Sequence, residues 1–154
     1  MIKSNRLLSA VLGLVLVTAN ISHAGIMPSL ERYYTPDFAQ SEWLTKHPAC
    51  KGQKHQMQPF VMGNIQQLRN YMNQPLTLMS AYRCAEHPVE AIKETPGQHN
   101  KGLAVDIYVT SGAMAYQIIH YALTELDVRG FAYSKEGGFV HLDWRTGVRV
   151  TWNY

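Results

Sequence analysis

Gln98-His99-Asn100-Lys101-Gly102-Leu103-Ala104-Val105-Asp106-Ile107 is the stretch in which a polar loop gives way to an apolar strand. Before it, from Arg83 to Gly102, the residues Pro88, Pro96, Gly97 and Asn100 mark a long loop, with a helical turn around Val89 to Lys93. After it, residues 103–109 are short, apolar and partly β-branched, which predicts a buried strand. The loop therefore presents His99 and the strand presents Asp106, while Gly102 and Ala104 keep the crossing between them narrow.

Outward from this stretch, the periodicity alternates between helix and strand. Phe60, Val61, Ile65, Leu68 and Tyr71 recur at three- to four-residue spacing behind Pro59, predicting an amphipathic helix that ends near Asn73. Gln74-Pro75 then turns the chain into a predicted strand at 76–82. A second amphipathic helix is predicted over 113–126, with Met114, Ile118, Tyr121, Ala122 and Leu126 on one side. Strands at 131–133 and 139–144 flank turn residues Lys135 to Gly138, and 148–152 closes the sheet. Two helices against a mainly antiparallel sheet, without internal repeats, make an α+β fold.

The first residues read as an address. Lys3 and Arg6 precede an apolar run from Leu7 to Ala19, and Ser22-His23-Ala24 is a small-x-small cleavage signal, the pattern of a secretory signal peptide over 1–24. The run is shorter than the about 20 residues a membrane span needs, so no span is expected after cleavage. Residues 25–58 read as an N-terminal arm with a short helix over 36–45, capped by Thr35 and packed through the aromatics Tyr33, Tyr34, Phe38 and Trp43. The chain of 154 residues has 14 Lys and Arg against 11 Asp and Glu. Loss of Lys3 and Arg6 brings these close to balance, and no basic run suggests nucleic acid. Cys50 and Cys84, the only cysteines, are expected to form a disulfide in an oxidising compartment, and a monomer is expected.

The polar residues of the last strands bear on chemistry. In Phe139-Val140-His141-Leu142-Asp143-Trp144-Arg145, strand alternation sends His141, Asp143 and Arg145 to one face, which suits the lining of a site better than a core. His99, Asp106 and His141 together make a three-ligand set for zinc, leaving a fourth position for water. Spacing alone keeps open the ordinary reading of a surface or hydrogen-bonded histidine. His47, His55, His87 and His120 are read as solvated or structural, Trp144 and Trp152 as core and sheet-edge residues. No Gly-x-Ser-x-Gly elbow supports serine chemistry.

Three runs, from Pro75 to Arg83, from Gln98 to Ile107 and from Gly138 to Asp143, resemble in order and spacing the D-alanyl-D-alanine carboxypeptidase group of zinc peptidases, which also contains murein endopeptidases and phage endolysins. The resemblance covers about Phe60 to Trp152 and marks 59–154 as a catalytic domain. It implies that His99, Asp106 and His141 bind Zn2+ in a cleft on the sheet. It gives Arg83 the task of holding a substrate carboxylate or carbonyl, the plainer role being an ion pair with Glu86 or Asp106. Ser80 and Tyr82 neighbour it in the same motif, Ser80 as a backbone-satisfying hydroxyl and Tyr82 as packing or cleft wall. The implied substrates are peptidoglycan stem or cross-link peptides in the periplasm or cell envelope. Several branches of the group keep an acidic general base three positions before the third ligand, where this chain has Gly138. Asp143 is read as the base ahead of Glu136, or else as a residue that orients a ligand. The missing acid also motivates the alternative of an inactive zinc- or peptidoglycan-binding module.

Overall fold

The computed structural model describes residues 35–154; the signal-peptide stretch and the beginning of the arm lie outside them. The fold is α+β, with helices α1 (Pro59–Met72), α2 (Pro88–Ala91) and α3 (Gly112–Glu125), and strands β1 (Leu78–Ser80), β2 (Ala104–Tyr108), β3 (Gly130–Ser134), β4 (Phe139–Asp143) and β5 (Val150–Thr151). The sheet order is β1-β2-β4-β3-β5. All pairings are antiparallel except β3 with β5, which is parallel.

Alternation divides the sheet into two chemically distinct faces. Val105, Ile107, Val140 and Leu142 are fully buried and belong to one core with Val61, Ile65 and Leu68 of α1 and Ala115, Ile118 and Ala122 of α3. The opposite face carries a row of cross-strand partners, Ser80 with Asp106, Asp106 with His141, and His141 with Ala132. A second row joins Ala104, Asp143 and Gly130. Asp106 and His141 are direct partners in the ladder, so backbone register alone sets their side chains next to each other.

The helices begin and end for identifiable reasons. Pro59 opens α1, and Asn73, in the left-handed region at φ 48°, closes it by donating its N–H to Arg69 and Asn70 carbonyls. Ser111 Oγ caps α3 by accepting from the Met114 N–H at 3.1 Å. Tyr71, predicted for the buried face of α1, is instead half-exposed and stacks on Tyr121 of α3 at 4.0 Å between ring centroids.

Several predicted elements are shorter than the sequence suggests. The helix over 36–45 reduces to a 3-10 turn, Gln40–Trp43, because Leu44 leaves it to form a parallel bridge with Tyr82. Tyr82 donates its N–H to Trp43 O and accepts from Thr45, which also takes it out of the predicted 76–82 strand. An irregularity between Leu78 and Ser80 shortens β1 further. At the other end, only Val150–Thr151 of the predicted 148–152 strand pairs with β3. Phe38 and the fully buried Trp43 join the same core as α1 and α3.

Cys50 and Cys84 form a disulfide with Cα atoms 5.6 Å apart. It ties the segment before α1 to the residue next to Arg83, closing a loop worth about 3 to 4 kcal/mol in the chain-entropy model.

Candidate metal centre

His99 reaches the sheet face from the loop before β2, and the loop is held there by its own backbone. Gly102 N–H donates to His99 O, Leu103 N–H to Gln98 O, and Asn100 Nδ2 to Arg83 O at 2.8 Å. Gly102 has φ +69°, and a Cβ on it would stand 2.0 Å from Gln56 O. Only glycine fits this crossing, because both the backbone conformation and the backbone of Gln56 and Met57, in the segment before α1, exclude a side chain.

One nitrogen from each of His99 and His141 and one Asp106 oxygen lie within 4.8 Å of one another, all three residues being buried. His141 Nδ1 is 2.8 Å from Asp106 Oδ1, and His99 Nε2 is 3.3 Å from both that oxygen and His141 Nδ1. The outward-facing ring nitrogens are engaged elsewhere. His99 Nδ1 donates to Ala81 O at 2.7 Å, and His141 Nε2 donates to Asp143 Oδ2 at 3.1 Å. With those protons so placed, both inward nitrogens present lone pairs beside a carboxylate oxygen. Three acceptors converging in a buried space, each fixed from behind, form a donor set suited to a cation.

The electrostatics follow from the same contacts. Burial pushes the Asp106 carboxyl up, but the pull of His141 and His99, whose inward nitrogens can donate to it when the rings are protonated, outweighs burial and holds the group far below the usual carboxylate range. Burial lowers His99, only partly offset by Asp106. Burial also disfavours charged His141, yet its bonds to Asp106 and Asp143 raise it overall. For Asp143, burial is overcome by Arg145 and His141, which hold it far below its ordinary value.

The remaining predicted residues fall in different places. Arg83 donates from Nη2 to Asp106 Oδ2 at 2.5 Å and from Nε to Ser80 Oγ at 3.0 Å, and it also lines the cavity beside the cluster. The ion pair and a cavity-facing position thus coexist. Tyr82 is buried at the Leu44 bridge. Asp143 has no exposed surface and lies across the His141 ring from the cluster, with both oxygens bonded to Arg145. Glu136 lines a separate hollow with Ser134 and Tyr154. Gly138 has φ +64°, a conformation in which an acidic side chain would be strained.

The cluster opens into a cavity of about 690 Å³. Its wall includes Arg83, Lys93, Lys101 and Arg145, and Glu94 is the acidic residue on it. Sequence reading missed Glu94, which carries no local motif; the signal that could have found it is its place in the long loop leading to His99. Trp152, read from the sequence as a sheet-edge residue, also stands at the site, its ring centroid 5.0 Å from that of His141.

Comparison with curated proteins and with solved structures returns no match. The family model described as Peptidase M15 matches residues 35–143, well over half of the chain, and its span contains His99, Asp106 and His141. The match and the ordered cluster agree, and the chain belongs to the peptidase M15 family.

Proposed function

We propose that this peptidase is exported and zinc-dependent, and that it hydrolyses amide bonds in the stem or cross-link peptides of peptidoglycan. The observation that carries the reading is the convergence of His99 Nε2, His141 Nδ1 and Asp106 Oδ1, with the far side of each ligand already bonded. A zinc ion held there would lower the pKa of a water molecule and polarise the scissile carbonyl.

The chain's own groups do the rest. Asp106 divides its oxygens, Oδ1 towards the histidines and Oδ2 towards Arg83, so the carboxylate is fixed in its plane. Arg83, whose planar fork matches a carboxylate, anchors the substrate's anionic end or carbonyl on the cavity wall. On that wall Lys93 and Arg145 are already paired with Glu90 and Asp143, which leaves Lys101 to favour an acidic peptide. Asp143 faces the wrong nitrogen of His141 to take a proton from the attacking water, so we give it the orienting role. Glu94, exposed on the cavity wall, is the carboxylate we assign to accept that proton. Export is supported by the signal-peptide pattern over 1–24 and by the Cys50–Cys84 disulfide.

The test is elemental analysis of purified protein and of His99→Ala, beside digestion of muropeptides read by mass spectrometry. About one zinc per chain, lost in the variant together with the products, is expected. Metal without products favours the second reading, a binding module of the same fold, for which Gly138 in the usual place of an acid speaks. Absence of zinc from both proteins would overturn the assignment of the ligands.

A further inference from the structure

We propose that Arg145, clamped between the Asp143 carboxylate and the Trp152 ring, is a positioning residue that sets the orientation and proton placement of His141 at the metal centre. The proposal rests on the reading of His99, Asp106 and His141 as metal ligands, and it concerns the layer of residues behind them.

Asp143 has no exposed surface, so its charge must be answered by protein donors. Arg145 supplies three of them. Its Nε donates to Oδ1 at 2.8 Å, its backbone N–H to Oδ1 at 3.1 Å, and its Nη2 to Oδ2 at 2.5 Å. The fork thereby fixes the plane of the carboxylate and leaves Oδ2 aimed at His141 Nε2, 3.1 Å away. If Asp143 turned in its seat, the imidazole would lose the acceptor that keeps its proton on Nε2 and its lone pair on Nδ1.

Arg145 is itself held from the cavity side. Its Cζ lies 5.1 Å from the centroid of the Trp152 ring, a cation–π distance, and the same ring is 5.0 Å from that of His141. Trp152 follows β5, whose place is fixed by parallel pairing with β3 and by the Val150 N–H bond to Arg129 O at 2.8 Å. One indole therefore flanks both ends of the His141–Asp143–Arg145 relay. A lysine could supply the charge at 145 but not the paired, planar donors.

The experiment compares zinc-loaded wild type with Arg145→Gln, Arg145→Lys and Trp152→Leu by competition against a chromophoric chelator. Solvent exchange of the His141 Nε2 proton is followed in parallel by NMR. Arg149→Gln, which removes an exposed partner of Asp127, is the control. We expect Arg145→Gln to weaken zinc binding by about 10- to 100-fold, Arg145→Lys and Trp152→Leu by less, and Arg149→Gln not at all. The Nε2 proton should exchange faster in step with the loss, a change that mere loosening of the fold would not confine to His141. Affinity within about twofold of wild type and an equally protected Nε2 proton in Arg145→Gln would overturn the proposal. If that variant does not fold, Arg145→Lys and Trp152→Leu decide by the same two readouts. Failure of wild type to take up zinc would instead sink the ligand assignment, and the relay with it.

Discussion

Replacing Gly130 by alanine tests the seat of Asp143 by the sign of its effect. Gly130 lies in β3 opposite Asp143 of β4, and its φ is not positive, so alanine suits the backbone there. At such a position the substitution ordinarily stabilises by about 0.4 to 1 kcal/mol, because it restricts the unfolded chain. Here the new Cβ would stand 2.2 Å from Asp143 Oδ2 and 2.6 Å from both Cγ and Oδ1. The carboxylate would have to retreat by about 1 Å to reach van der Waals contact. It has nowhere to go without giving up His141 or Arg145. Overpacking alone costs about 1 to 3 kcal/mol, and weakening the bonds of a buried charge adds to it. The net expectation is destabilisation by about 2 to 4 kcal/mol at neutral pH. Urea unfolding followed by circular dichroism should show a lower midpoint at unchanged slope. In an Asp143→Ala background the clash is gone, and Gly130→Ala should then be neutral or stabilising. A single variant as stable as wild type, or a penalty that persists in the double variant, would refute the reasoning.

Three further outcomes are expected. The paired change Cys50→Ser and Cys84→Ser should lower stability by about 3 to 4 kcal/mol, and equal urea midpoints for the two proteins would remove the disulfide from the account. Chelator-treated protein should lose stability as pH falls below about 5: Asp143 and Asp106 have folded-state values below their unfolded ones, so they favour folding above the carboxylate range and cease to do so in acid. The lowered His99 acts in the same direction, whereas the raised His141 opposes it, its contribution being full below its unfolded value and lost as pH rises through its higher folded value. A urea midpoint that climbs from pH 7 to pH 4 would contradict this balance. On muropeptides, Glu94→Gln should reduce kcat by about 10²- to 10⁴-fold while Glu136→Gln stays near wild type, and the reverse ranking would move the base to the neighbouring hollow.

The residues that sequence reading brought together are those whose meeting is governed by backbone register. Asp106 and His141 are ladder partners; alternation alone placed His141 with Asp143 and Arg145, and it was the family resemblance that joined Asp106 and His99 to it. His99 needed only the narrow crossing at Gly102, visible as a glycine between loop and strand. The helices α1 and α3 were equally legible from their apolar spacing. The segment around Gln40–Trp43 was not, because a bridge to Tyr82, 38 positions from Leu44, outcompeted local helix propensity. The layer behind the ligands was also hidden. Alternation puts Asp143 on the site face but does not say which nitrogen of His141 it meets, and that choice decides between base and orienting residue.

At Gly138 the chain turns with φ +64°, a tight connection between β3 and β4 that leaves no comfortable place for a carboxylate on the turn. The loop between Cys84 and His99 is better placed than its length suggests, since it is pinned along its course. The disulfide fixes Cys84, and Glu90, itself buried, accepts from the Gly97 N–H at 2.9 Å and from Lys93 Nζ at 2.8 Å. A Cβ on Gly97 would stand 2.4 Å from Lys93 Nζ and 2.7 Å from Glu90 Oε2, so a side chain there would have to push aside the ends that make the latch. Glu94 lies between Lys93 and Gly97, inside the span that this latch closes. A carboxylate carried on such a pinned loop has less freedom to lose on binding substrate than one on a loose loop, which is the condition a general base must meet.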